Sequence, residues 1–152
     1  RILAFIVELG ECANEWKGLK FWKVPHNRKP NTRAQRGAAM MPEDQEWYNP
    51  LLEEFVDKLH FIASLGISMN VNPEKVIVKD LEVWKADNIT EQYIQMAGKA
   101  VDLYLYRNRM DWNTLLRMLL ALGEMLGFSR EQIQEAYIKK NAVNHERQAN
   151  GY

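Results

Sequence analysis

The chain is poor in several things at once. Cys12 is its single cysteine among 152 residues, which excludes an intrachain disulfide framework and a zinc site built on several thiolates. No apolar run approaches the roughly 20 residues that a membrane-spanning helix needs, and no amino-terminal stretch has the pattern of a secretory leader. Neither sign of charge is in excess, because 20 Lys and Arg balance 20 Asp and Glu. A balanced chain has no general field for DNA or an anionic membrane, so any anion must be met by a local group of basic residues. These absences predict a cytoplasmic protein without a membrane or nucleic-acid partner. The chain opens at Arg1, directly on an amphipathic pattern, which leaves room for a segment ahead of it.

What is present fits one ordinary globular domain over residues 1–152, with 47% apolar and 26% charged residues. Apolar residues recur at helical spacing in five stretches. The first helix is expected over 2–18, with Ile2, Phe5, Ile6, Leu9, Cys12, Ala13 and Trp16 on one stripe. The second follows Pro50, with Leu51, Leu52, Phe55, Val56, Leu59, Ile62 and Ala63 apolar and Gly66 as its stop. A third runs from about Thr90 to Tyr106 on Ile94, Ala97, Val101, Tyr104 and Leu105. Asp111 is expected to cap a fourth, which carries Leu115, Leu116, Met118, Leu119, Leu122 and Leu126 and ends at Gly127. Ser129 and Gln132 form a capping box that opens a fifth, toward Ala149. Between the first two lies a long loop, 23–50, with Pro25, Pro30, Pro42 and Pro50 and room for one helical turn over Ala38 to Met41. Val76 to Val78 and Leu81 to Trp84 read either as short strands or as a short helix. The expected fold class is all-α, a four-helix-type bundle core with extra helices.

Acidic residues occupy unusual places on the first two helices. Glu8, Glu11 and Glu15 share one side of the first, beside its apolar stripe, and Glu54 and Asp57 repeat the i, i+3 spacing on the second. Two meanings are open. Such pairs arise readily on solvated helix faces. If the helices pack together, however, Glu8, Glu11, Glu54 and Asp57 face one another across a groove with no lysine expected nearby. Four carboxylates so placed are an oxygen cage for Mg²⁺, and two such ions could clamp a phosphoryl transfer. Near the carboxyl terminus Lys140, Asn144 and Arg147 fall on one helix face. They suit phosphate oxygens and the edge of a base or sugar, or they are the basic end that a helix dipole favours.

Three stretches together resemble the dimeric all-α dUTPases of some bacteria, phages and trypanosomatids, relatives of the MazG-type nucleotide pyrophosphatases. They are Glu8 to Trp16 with Lys20, Phe21 and Trp22; Leu51 to Phe61; and Lys140-Asn141, Asn144, Arg147-Gln148 and Gly151-Tyr152. The last pattern is the more specific to the dUTPase branch. The resemblance implies a homodimer that hydrolyses dUTP to dUMP and pyrophosphate, a water activated by Mg²⁺ attacking the α-phosphate, with dUDP, cleaved to dUMP and phosphate, a second candidate substrate. It implies Glu8, Glu11, Glu54 and Asp57 as ligands of two or more Mg²⁺ ions, with Glu15 assisting. Lys140 and Arg147 would hold phosphates, Asn144 and Gln148 would contact the nucleoside, and Lys20 and Trp22 would line the pocket. The 23–50 loop is longer than the link usual in that family; it is either a solvated loop, the plainer reading, or a lid whose Arg28, Lys29, Arg33 and Arg36 close over phosphates. Trp16 is expected in the core, and His60 as a partly buried helix residue. Tyr93, Tyr104, Tyr106 and Trp112 offer aromatic surface to a second subunit. A sibling pyrophosphatase for dCTP or another dNTP, and a non-catalytic helical interaction module, are the competing readings.

Overall fold

A computed structural model of the chain describes residues 1–22, 34–36, 41, 46–71 and 82–151, the side chains of 36, 46, 47 and 148 excepted. Its elements are α1 (Ile2–Trp16), β1 (Ala34–Arg36), β2 (Glu46–Tyr48), α2 (Pro50–Ser68), α3 (Ile89–Tyr106), α4 (Arg109–Met125) and α5 (Arg130–Ala149). Helix α1 packs on α2 and α3, and α4 closes the ring by packing on both α3 and α2. The fifth helix lies against α2. The fold is all-α around a four-helix core, as expected. Inside the stretch read as a loop, β1 and β2 pair antiparallel, Gln35 opposite Trp47. The Ala38 to Met41 turn, Arg28, Lys29, Arg33, and Val76 to Leu81 fall outside the described residues, Met41 apart. None of the described helices is long and apolar enough to cross a membrane.

Local chemistry explains the helix ends. Asparagine starts three helices: Asn49, Asn88 and Asn108 each accept a first-turn backbone N–H on their side-chain oxygen, at 3.1, 2.9 and 2.9 Å. Pro50 fills the first position of α2, where its missing N–H costs nothing. Asn108 therefore replaces Asp111 as the cap of α4; Asp111 sits in the first turn and pairs with Lys99 of α3 at 3.2 Å. Ser129 and Gln132 do form the reciprocal capping box, at 2.9 and 3.2 Å. Gly127, at φ 86°, donates to Glu124, while Phe128 donates to Gly123, the paired bonds of a Schellman motif that ends α4. Gly66 does not end α2. It lies buried inside the helix, where an added Cβ would come 2.7 Å from the Trp112 ring. Glycine is there for close approach to α4. The first helix stops at Trp16, two residues early, with Lys17 left-handed at φ 64°.

The core holds Phe5, Leu9, Cys12 and Trp16 of α1, Leu51, Phe55, Val56, Ile62 and Leu65 of α2, and most of α4, which is buried on all sides from Met118 to Gly123. Helix α3 turns the other way from expectation. Its buried face is Gln92, Tyr93, Met96, Ala100 and Leu103, whereas Ile94, Val101, Tyr104 and Leu105 are exposed. The helix carries two apolar stripes, and periodicity alone does not say which faces inward. Tyr93 and Trp112 are likewise core residues, not surface for a partner. Tyr93 stacks on Trp16, centroids 5.8 Å apart, and Trp112 Nε1–H donates to the Ile62 carbonyl at 2.9 Å. Gln92, fully buried, accepts from Ala86 N–H and donates to the Trp84 and Met118 carbonyls. It thereby pins residues 82–86, which are neither strand nor helix, against α3 and α4.

Candidate metal and phosphate site

The α1–α2 seam brings the acidic pairs together. Glu8 from α1 and Glu54 and Asp57 from α2 place one carboxylate oxygen each within 4.8 Å of one another. All three are partly buried, because the stripe-edge positions that carry them sit at the rim of the core. Glu11 is exposed and outside that trio. Burial, and then repulsion by Asp57, raise the carboxyl pKa of both Glu8 and Glu54, and Glu11 adds to each. One oxygen of Glu54, Oε2, is buried with no hydrogen-bond partner among the described residues.

Lysines are present after all. Lys140 reaches from α5 to Asp57 Oδ2 at 3.0 Å. Lys58 is fully buried, donating to the Glu54 carbonyl and, at 3.5 Å, to the Glu8 carbonyl. Burial pushes the Lys58 ammonium pKa down. Two amines do not offset three crowded carboxylates. Sequence reading missed Lys58, although a signal exists: Leu51, Phe55, Lys58, Ile62 and Leu65 alternate by four and three, which puts the lysine on a core position of α2.

On α5 the turn of Asn144 follows that of Lys140, and both are partly buried, while Arg147 is exposed. Below the Lys140–Asp57 pair His60 stacks on Tyr137, centroids 4.3 Å apart and planes 19° inclined, a second rung between α2 and α5. Burial lowers the His60 pKa, which agrees with a packed helix histidine. Trp16 is in the core, as expected, and Glu15 is partly buried two turns beyond Glu8. Lys20 is partly buried just after α1, and Trp22 is exposed with Phe21 edge-on to it at 5.1 Å. The side chains of Gln148 and Arg36 are not described, though α5 and β1 carry their backbones.

The donor set fits a hard divalent cation. It is all carboxylate oxygen, with neither imidazole nor thiolate in the trio, the ligand type of Mg²⁺ and Ca²⁺. An orphaned, buried oxygen on a carboxylate of a like-charged cluster is what a cation would satisfy. No curated protein and no solved structure matches the chain. A family model described as dUTPase does match it, over residues 1–36 and 42–152. That span includes both acidic helices and the whole of α5, so the chain belongs to the dUTPase family, whose function at family level is dUTP hydrolysis.

Proposed function

We propose that the protein hydrolyses dUTP to dUMP and pyrophosphate in the cytoplasm, with Mg²⁺ held by Glu8, Glu54 and Asp57 and with Glu11 completing the set at the rim. The observation that supports this most is the three-carboxylate cluster, whose oxygens lie within 4.8 Å of one another and whose Glu54 keeps one buried oxygen unpartnered among the described residues. When bound, the metal supplies Lewis-acid polarisation of the phosphate and activation of the attacking water. The residues do the rest. Glu15 assists from the next turns of α1. Lys140 is already held over the cluster by Asp57, so a short rotation carries its charge to a phosphate oxygen, and Arg147 meets the leaving pyrophosphate from the same helix. Asn144 and Gln148 contact the nucleoside, and Trp22 and Lys20 line the pocket mouth.

The exposed apolar residues of α3 support a homodimer. Val101 and Tyr104 line one groove with Leu3 of α1, and Ile94 and Leu105 extend the apolar surface. A contiguous apolar patch of this kind marks an interface. Sedimentation should give a dimer, and Val101→Lys with Tyr104→Lys should give a monomer.

Pyrophosphate release from each dNTP, and phosphate release from dUDP, with and without Mg²⁺, test the activity. Mg²⁺-dependent release from dUTP alone is the expected result. Release from another dNTP instead would move the chain to a sibling pyrophosphatase. No release from any, together with no thermal stabilisation by nucleotide, would favour an interaction module.

A further inference from the structure

Lys58 is a costly residue to place where it is. A fully buried amine must have its N–H bonds taken, and even then a hydrocarbon of the same length would pack the seam as well or better. Its neighbours along α2 at the core positions are Leu51, Phe55, Ile62 and Leu65, so the stem of the side chain runs through an apolar row. Stability therefore does not explain it.

Its partners do. The Nζ donates to two backbone carbonyls on different helices, Glu54 on α2 and, at 3.5 Å, Glu8 on α1. These belong to the residues that bring carboxylates to the cluster from the two sides of the seam. The Cys12 thiol lies beside the same amine, and Tyr93 of α3 donates to Cys12 Sγ at 3.1 Å. The end of Lys58 is thus held where three helices meet. In either protonation state it carries two N–H bonds, one for each carbonyl.

We infer that Lys58 is a positioning residue, which ties α1 to α2 in the one register that brings the Glu8 carboxylate to those of Glu54 and Asp57. The inference rests on the reading of that cluster as a divalent-cation site. It acts through backbone and so needs no contact with substrate. A group that only offset negative charge would behave in the opposite sense: its removal would leave the cluster more negative and its cation tighter. The two roles therefore differ in sign.

Mn²⁺ binding to the full chain, without nucleotide, separates them; it is read by calorimetry or by the loss of the free-ion electron paramagnetic resonance signal. Lys58→Met keeps the length and removes the donors. Lys58→Gln keeps an amide donor but is too short to reach α1. Both should fold, with metal-free melting temperatures at or above that of the parent. Both should bind Mn²⁺ more weakly, by about 10- to 100-fold, as for loss of an outer partner of a ligand. Binding by either folded variant that equals or exceeds the parent's overturns the inference and leaves the metal reading standing. Failure of both variants to fold assigns Lys58 to the core alone and overturns it too. A parent chain that binds no Mn²⁺ at all removes the metal reading, and this inference with it.

Discussion

Gln92 and Lys58 are buried to the same degree, both fully, yet they sit in regions of opposite character. Gln92 lies between α3, α4 and the 82–86 segment, and its amide meets three backbone groups at 2.6 to 3.0 Å. Nothing about it is left over. Lys58 lies beside crowded carboxylates, one of which keeps an unpartnered oxygen. A satisfied buried polar group specifies architecture. A frustrated one signals that something outside the chain completes it. On the proposed reading the α3–α4 side of the bundle is scaffold, and the α1–α2–α5 side carries the chemistry.

This contrast can be broken by experiment. Glu54→Gln should cut Mg²⁺-dependent turnover by more than about 100-fold, since a ligand matters more than its outer partners, while the far-ultraviolet circular dichroism stays unchanged. Full turnover in that variant would falsify the cage assignment. Gln92→Ala should do the reverse: a loss of about 3 kcal/mol in urea unfolding, from unpaired backbone groups, with kcat of the folded fraction preserved. If activity fell and stability held, the division of the molecule would be wrong. Gly66→Ala, which drives a Cβ to 2.7 Å from the Trp112 ring, should cost about 1–3 kcal/mol by overpacking. Ser129→Ala should cost about 1 kcal/mol through the lost cap of α5, and no effect on the melting temperature would show that α5 is held by packing alone.

The gentlest probe is pH. Glu8 and Glu54 have pKa values raised above their ordinary 4.5 by burial and by Asp57. The native form then holds more protons than the unfolded chain between 4.5 and the raised values, so these groups make stability fall as pH rises through that window. Melting curves in a chelator should show the fall. It should be smaller in Glu54→Gln and smaller again with Mg²⁺ added. A fall of the same size in both proteins would mean that other groups set it.

Much of this was legible without coordinates. The capping box of Ser129 and Gln132 is local, and it formed. The stripes of α1 and α4 gave core residues correctly, Phe5, Leu9, Cys12 and Trp16 on one and Leu115, Leu116, Met118, Leu119 and Leu122 on the other, although α4 buries Leu120 and Ala121 as well. The i, i+3 spacing put Glu54 and Asp57 on one edge of α2. Helix α3 was misread because it has two apolar faces, and the choice between them lies with neighbours far along the chain. The cap of α4 went to Asn108 and not Asp111, since both residue types can cap and the start of the helix was set by the turn after Arg107. Glu11 and Glu8 look equivalent one turn apart, but the approach of α2 favours Glu8.

The sequence by itself determined that the chain is helical, where most of its core comes from, and which carboxylates lie at the edges of core stripes. Those are consequences of periodicity within single elements. The tertiary structure decided which face of α3 is inward, that Gly66 makes way for Trp112, and that the acidic site has lysines at its floor and rim. Each of these depends on side chains separated by tens of residues meeting in space, and a period of 3.6 residues carries no information about that.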